Sequence, residues 1–544
     1  MTIQGPLLVA SILLPLAMAL CCLSARFRAG VPCLLVVAPL PALLAALFAP
    51  DGTIVFFPSP FRISLVLDRP GAILLGGAAL LWGAAGAYAA SYLGREPAAP
   101  RFAVWWLLTL AGSLGLFIVG DVANFYLLFT LASLAAYGLI VHEQTERAER
   151  ASRIYVVLAL FGEAFLLPAL VMLAAGHADA NPLIRDVVAT LPSSPMRNAI
   201  VALFVLGFAL KMGLFPLHIW LPLAHPAAPM PASAALSGIV VKAGVIGFIR
   251  FLPFEAGLPS WGILLIVLGL VTAYYGVAVG ITQTRAKTIL AYSTVSQMGL
   301  IAVILGVGLL DADRSATSLA AYYAVHHTLV KGGLFLAVGI LAASGGAMLR
   351  PVLLLTAILA LSLGGMPLTS GALAKLAAKP MLGYGFIGSA MALAGAGSTM
   401  LMLHFIATIR RDTKDNPASL APAGQIVPWL IVALASLVVP WSLYPAITGE
   451  PVTSLLLPDA LWKLIWPMLI GAFAMLIVSR LKRLPGAIPE GDIVVLAGSG
   501  EPMLRRLING ITEADAVLRR WSTAGLSLIG LVVLIGGVLM LRNG

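Results

Sequence analysis

The chain has 544 residues, of which 60% are hydrophobic and only 10% charged. Soluble domains carry about 25% charged residues, so a soluble globular fold and a disordered chain are both excluded, and uncharged runs of helical span length exclude a β-barrel. What remains is an all-α polytopic membrane protein, in which a net charge of +11 reads as loop topology and not as nucleic-acid binding.

Residues 1–100 form an N-terminal region with predicted spans near 6–24, 30–49 and 70–93. The first span lacks a basic flank and reads as retained, not as a cleaved signal. Cys21, Cys22 and Cys33 lie in apolar runs without CxxC spacing, so no iron–sulfur, zinc or disulfide framework is expected. Between the second and third spans, Thr53–Leu67 alternates aromatic and branched residues around Pro58 and Pro60, which predicts an extracytoplasmic hairpin.

Residues 101–410 hold predicted spans near 103–120, 122–141, 153–175, 198–216, 231–252, 262–282, 287–309, 317–343, 350–376 and 381–409. Residues 411–544 add spans near 424–446, 459–480 and 522–541. The stretch from about Pro502 to Trp521, with Arg505, Arg506, Arg519 and Arg520 beside Leu504, Leu507, Ile508, Ile511 and Leu518, predicts an amphipathic helix on the cytoplasmic surface or against a partner. The total is about 14–16 transmembrane helices.

Basic residues fall in every second connection: Arg26 and Arg28; Arg95 and Arg101; Arg147, Arg150 and Arg153; Arg285 and Lys287; Arg410, Arg411 and Lys414; Arg480, Lys482 and Arg483. The positive-inside rule therefore places the N-terminus outside.

Ionisable residues deep in a bilayer are costly and mark function by default. Glu163, Lys211, Lys242, His326, His327, Lys331, Lys375 and His404 all fall inside predicted spans. Two of these spans are interrupted. Lys211 is followed by Pro216, Pro222, Pro226, Pro229 and Pro231, and Lys375 follows Gly364, Gly365, Pro367 and Gly371. Broken helices at membrane depth line hydrated cavities, where a lysine can exchange its proton. Lys211 to Lys375 is 164 residues, Glu163 to Lys331 is 168 and Lys242 to His404 is 162. That near-constant offset predicts two five-helix repeats, inverted in the membrane because five is odd.

The motifs resemble a known family. KMGLFPLHIWLPLAHPAAPMPASAALSGIVVKAG (Lys211–Gly244), AKTILAYSTVSQMG (Ala286–Gly299), HHTLVK (His326–Lys331), GMPLTSGALAK (Gly365–Lys375) and GDVANFYLLFTLASLAAYGL (Gly120–Leu139) are similar to the antiporter-like subunits of respiratory complex I, Mrp-type sodium/proton antiporters and membrane-bound hydrogenases. The resemblance covers about residues 100–410. It implies inverted repeats, a 14-helix core and a proton path in which Lys211 pumps, Lys242, His327 and Lys331 relay, and Lys375 ends the second half-channel. Asp121, Thr130, His218, His326 and His404 are accessory candidates.

The sequence also departs from the family. Thr130 stands where the family's fifth helix has a glutamate that pairs with the seventh-helix lysine. Glu163, the acidic residue deep in a span of the first repeat, is the expected replacement. Leu223 and Arg285 replace aspartates, and Gln297 stands where many relatives have histidine.

The function expected is therefore a proton- or sodium-translocating subunit in a bacterial inner membrane. Its partners would be the other membrane subunits of a respiratory, hydrogenase, Mrp or inorganic-carbon uptake complex. The Mrp-like fifth helix and the PEGD motif (Pro489–Asp492) lean toward the Mrp and hydrogenase group. The runner-up is a non-conducting scaffold, suggested by Thr130. With no cysteine cluster, dinucleotide fingerprint or haem pair in the sequence, no cofactor, metal or catalytic centre of its own is expected.

Overall fold

The computed structural model describes residues 4–24, 30–57, 62–94, 96–346, 349–414, 416, 419–480 and 488–489. The described residues belong to one compact unit, Met1–Glu490. The predicted surface helix, the last predicted span, the PEGD motif beyond Pro489, the Cys33 side chain and the basic residues Arg26, Arg28, Arg95, Lys482 and Arg483 lie outside the described residues.

The N-terminal region is α1 (Gln4–Leu23), α2 (Val31–Val37), α3 (Leu40–Phe48), a hairpin, and α4 (Arg69–Leu93). The predicted span 30–49 is split into α2 and α3, because Pro39 and Pro41 withhold donors from a continuous ladder. A hairpin forms over the predicted stretch: β1 (Gly52–Phe56) pairs antiparallel with β2 (Ile63–Leu67) in the register Ile54 to Leu65. Asp68 caps α4 by accepting from Gly71 N at 3.0 Å, and both its oxygens accept from Arg250, which also donates to Phe117 O at 3.1 Å.

The core region begins with α5 (Ala99–Ile118), α6 (Val122–Ile140), α7 (Glu146–Ala174) and the short α8 (Ile184–Thr190). Next come α9 (Arg197–Met212), α10 (Trp220–Ala227), α11 (Met230–Ala235), a π-helical turn (Leu236–Val240) and α12 (Lys242–Phe251). The second half holds α13 (Pro259–Gly280), α14 (Ala286–Leu310), α15 (Ser315–Ala343), α16 (Leu349–Gly364), α17 (Ser370–Leu382) and α18 (Phe386–Asp412). Last are α19 (Ala423–Thr448) and α20 (Pro458–Arg480).

Twelve of the described helical segments are long and apolar enough to cross a membrane. The predicted spans near 30–49, 198–216 and 350–376 are the ones that fall short, each because its helix is broken or shortened. The Met230–Phe251 segment is wholly buried along its apolar window and α14 is 94% buried, whereas α20 is 17% buried, so the former lie at the centre and α20 at the rim.

Within the core, α13 and α14 pack backbone to backbone. Gly262, Gly269 and Gly276 recur every seventh residue on α13 and face Gly306, Gly299 and Ser296 on α14. A Cβ added at Gly269 would lie 2.6 Å from Gly299 O, so only glycine permits this approach. Small-residue seams of this kind are how helices associate where lipid removes the hydrophobic drive.

Candidate functional site

Two breaks and one π-helical turn position Lys211, Lys375 and Lys242. Helix α9 ends at Gly213, which adopts φ +76° and has Leu221 Cδ1 1.9 Å from the position of an added Cβ. Helix α16 ends before Gly365, at φ +99°. Both breaks fall in the spans where proline and glycine predicted them.

A helix end leaves carbonyls without intrahelical donors, and at membrane depth these need partners from the protein. Here the partners are largely the functional side chains themselves. Trp220 Nε1 donates to Leu210 O at 2.8 Å, beside Lys211. The Lys375 ammonium donates to Gly364 O, the last carbonyl of α16. In the π-helical turn, Ser237 O accepts from Lys242 Nζ at 3.1 Å and Gly238 O from Thr328 Oγ1 at 2.7 Å. The negative end of each half-helix thus faces a cation or an N–H or O–H dipole.

The first cluster surrounds Lys211. Its Nζ donates to Ser133 Oγ at 2.8 Å and Tyr155 OH at 3.2 Å, and lies 5.5 Å from the ring centres of Phe129 and Tyr155. Thr130 Oγ1 donates to Glu163 Oε2 at 2.6 Å. Tyr126, Thr130 and Ser133, on one face of α6, are the side chains facing the Glu163 carboxylate. Glu163 Oε1 has no hydrogen-bond partner among the described residues, so Glu163 and Lys211 act on each other electrostatically across Ser133 and not through a direct hydrogen bond.

The second cluster is central. Lys242 Nζ lies 2.6 Å from His327 Nδ1, and His327 Nε2 has no hydrogen-bond partner among the described residues. Lys331 Nζ donates to Leu290 O at 2.8 Å. The charged neighbours acting on His327 are Lys242, Lys331, His326 and His225, all of them cationic when protonated.

The third cluster surrounds Lys375. His326 Nδ1 is 2.8 Å from Ser370 Oγ, which lies 3.2 Å from Ser362 Oγ. Tyr323 OH donates to Gln297 Oε1 at 3.0 Å, and Gln297 Nε2 donates to Ser398 Oγ at 3.0 Å. Tyr323 and Lys375 share a cavity of about 250 Å³ that extends past Ser389 to the exposed Tyr384 and to Lys463.

The remaining accessory candidates are Asp121, His404 and His218. Asp121 caps α6 and clamps the hairpin, accepting from Asn124 N at 2.9 Å, Ser64 N at 2.8 Å and Asn181 Nδ2 at 2.9 Å. His404 Nε2 donates to Gln283 O at 2.7 Å and pins the connection before α14. His218 is buried against the rings of Tyr275, Phe215 and Tyr292. Among the described residues no group of three or more His, Cys, Asp or Glu side chains could hold a metal ion.

Sequence reasoning missed His225. It lies within the longest of the family motifs, but a histidine followed by Pro226 between the predicted spans 198–216 and 231–252 reads as part of a loop. The structure buries it completely, its ring centre 5.8 Å from Trp220 and 5.7 Å from Phe335. Outside the spans, His142 packs on the Phe102 ring at 5.0 Å and its carbonyl accepts from Arg101 Nη2 at 3.0 Å. Burial first, and the Arg101 charge second, push His142 down to about 4.

The fold and these clusters define a multi-pass membrane protein whose buried ionisable groups are strung between broken helices. Residues 119–407, just over half of the chain, match the family described as NADH:quinone oxidoreductase/Mrp antiporter, TM, and the chain belongs to that family. It is 32% identical over 264 residues to hydrogenase-4 component B of Escherichia coli, covering 46% of this chain and 38% of that one. It is 30% identical over 284 residues to a Na(+)/H(+) antiporter subunit of Alkalihalophilus pseudofirmus, covering 52% and 57%. These matches span well under two thirds of the relatives' own lengths. The fold is shared with a chain of the Mrp complex from Dietzia sp., at TM-score 0.72 and 23% identity, over 99% of this chain and 63% of that one.

Proposed function

We propose that the chain is a proton-translocating subunit of a multisubunit complex in a bacterial inner membrane. The observation that carries this reading is the succession of Lys211, Lys242, His327 and Lys331, all buried, and the half-buried Lys375. Lys211 is bonded to Ser133 and Tyr155, Lys242 to Ser237 O and His327, Lys331 to Leu290 O and Lys375 to Gly364 O. Such groups are too costly in a bilayer to be kept for packing alone. Family membership and similarity to a hydrogenase component and an antiporter subunit support it.

The mechanism is charge switching. Moving the Glu163 carboxylate away from Lys211 leaves the ammonium without its counter-charge and releases a proton. The proton passes to the Lys242, His327 and Lys331 group, where mutual repulsion drives it on toward His326 and Lys375. Work done in a partner subunit would displace the carboxylate. The chain needs no catalytic centre for this, and the same path serves a redox-linked complex or a cation/proton antiporter.

The test is proton flux through the complex purified from native membrane and reconstituted in vesicles, driven by an imposed potential. Lys331→Met abolishes flux while assembly persists. Wild-type flux in that variant overturns the reading. Mass spectrometry of the co-purifying subunits identifies the complex.

A further inference from the structure

We propose that His225 is the proton bridge between the Lys211 cluster and the central Lys242, His327 and Lys331 cluster. This deepens the proton-path reading above and rests on it.

A buried imidazole normally gives its two nitrogens partners, because a buried polar atom without one costs about 1–3 kcal/mol. His225 is fully buried, and neither Nδ1 nor Nε2 has a hydrogen-bond partner among the described residues. A packing role at this position would be served better by an apolar ring, since both flanking contacts are aromatic.

The position of the ring is specific. On one side it meets Trp220, whose ring centre is 5.2 Å from that of Tyr155, and Tyr155 OH is bonded to Lys211. On the other it meets Phe335, one helical turn beyond Lys331 on α15. The charges acting on it come from Lys331, Lys287 and Lys242. Its backbone is fixed, because His225 O accepts from Ser233 Oγ at 2.7 Å across the break between α10 and α11. The ring is therefore held between two proton-holding clusters that share no direct hydrogen bond to each other in the described structure.

The step is balanced. A proton released from Lys211 reaches one free nitrogen of neutral His225 through intervening water. The imidazolium gives the proton on its other nitrogen to the central cluster, and the neutral ring returns by exchanging tautomers. No electron moves and no covalent bond other than N–H is made or broken.

The experiment uses the reconstituted complex, with flux read per assembled complex. His225→Phe keeps the ring between Trp220 and Phe335 and removes both nitrogens; flux falls by roughly tenfold or more. His225→Ala opens an imidazole-sized space, and added imidazole restores part of the lost flux, which a purely structural role does not allow. Wild-type flux in His225→Phe, with Lys331→Met inactive, overturns the bridge and leaves the proton path standing. So does a defect in His225→Ala that imidazole leaves untouched while His225→Phe conducts. Full flux in Lys331→Met overturns the proton path itself.

Discussion

Thr130 Oγ1 donates to Glu163 Oε2 at 2.6 Å, so a threonine on α6 holds the carboxylate of the next helix. We propose that Glu163 on α7, held beside the Tyr126, Thr130 and Ser133 face of α6, is the acidic partner of Lys211. Its influence on Lys211 passes over Ser133, which accepts from the ammonium at 2.8 Å. Glu163→Gln is expected to lower proton flux roughly tenfold or more, and adding Thr130→Glu to recover much of it. Thr130→Val removes a hydrogen bond to a charged group, worth about 1.5–3 kcal/mol, and shifts the pH profile of flux without abolishing it. Full activity in Glu163→Gln would remove Glu163 from the path.

That contact shows what the sequence could and could not reveal. Glu163 stood out because an acid in an apolar run is conspicuous, and the broken spans stood out because proline and glycine interrupt the backbone ladder locally. Residues whose importance depends on chain return did not stand out. His225 lies eight residues before Ser233, and only the fold of α10 against α11 and α15 buries its ring with no hydrogen-bond partner among the described residues. The π-helical turn before Lys242 was equally silent, since Leu236–Val240 reads as ordinary apolar helix. Asp121, an accessory candidate, has its oxygens occupied in capping α6 and clamping the hairpin, a role that depends on where the hairpin returns.

The seam between α13 and α14 predicts a stability defect without a chemical one. At Gly269 a side chain meets Gly299 O at 2.6 Å and Val303 N at 2.9 Å, both backbone atoms that cannot rotate away. Gly269→Val is expected to destabilise the chain by about 1–3 kcal/mol through overpacking. Thermal unfolding in detergent measures it. An unchanged midpoint means the two helices separate freely, contrary to the packing seen here.

Stability also depends on pH at one loop. His142 is held neutral down to about 4, against an unfolded value near 6.5, by burial on Phe102 and by Arg101. The unfolded chain therefore binds the extra proton first. The stabilisation is complete above pH ~6.5 and is lost as pH falls toward about 4. Unfolding midpoints compared between pH 7.5 and 5 (roughly the window given by the histidine shift) should fall further for wild type than for His142→Gln. Equal slopes would mean the ring titrates as it does in water.

Gly395 offers a way to move one relay group without altering its chemistry. A Cβ at this position would lie 2.8 Å from Lys375 Nζ, and the next nearest atoms are Lys375 Cε at 3.7 Å and Gly364 O at 3.8 Å. The clash is thus with the far end of a flexible side chain, which can yield while α18 stays in place. Gly395→Ala should displace the ammonium from Gly364 O, the carbonyl that ends α16, and toward the cavity lined by Ser389 and Tyr384. A lysine pulled off its helix end loses the dipole that fixes it, so proton flux is expected to fall several-fold while assembly and unfolding midpoint stay near wild type. Gly395→Ala with unchanged flux would show that the Lys375 position tolerates movement, and Lys375→Met would then be needed to keep that residue in the path at all.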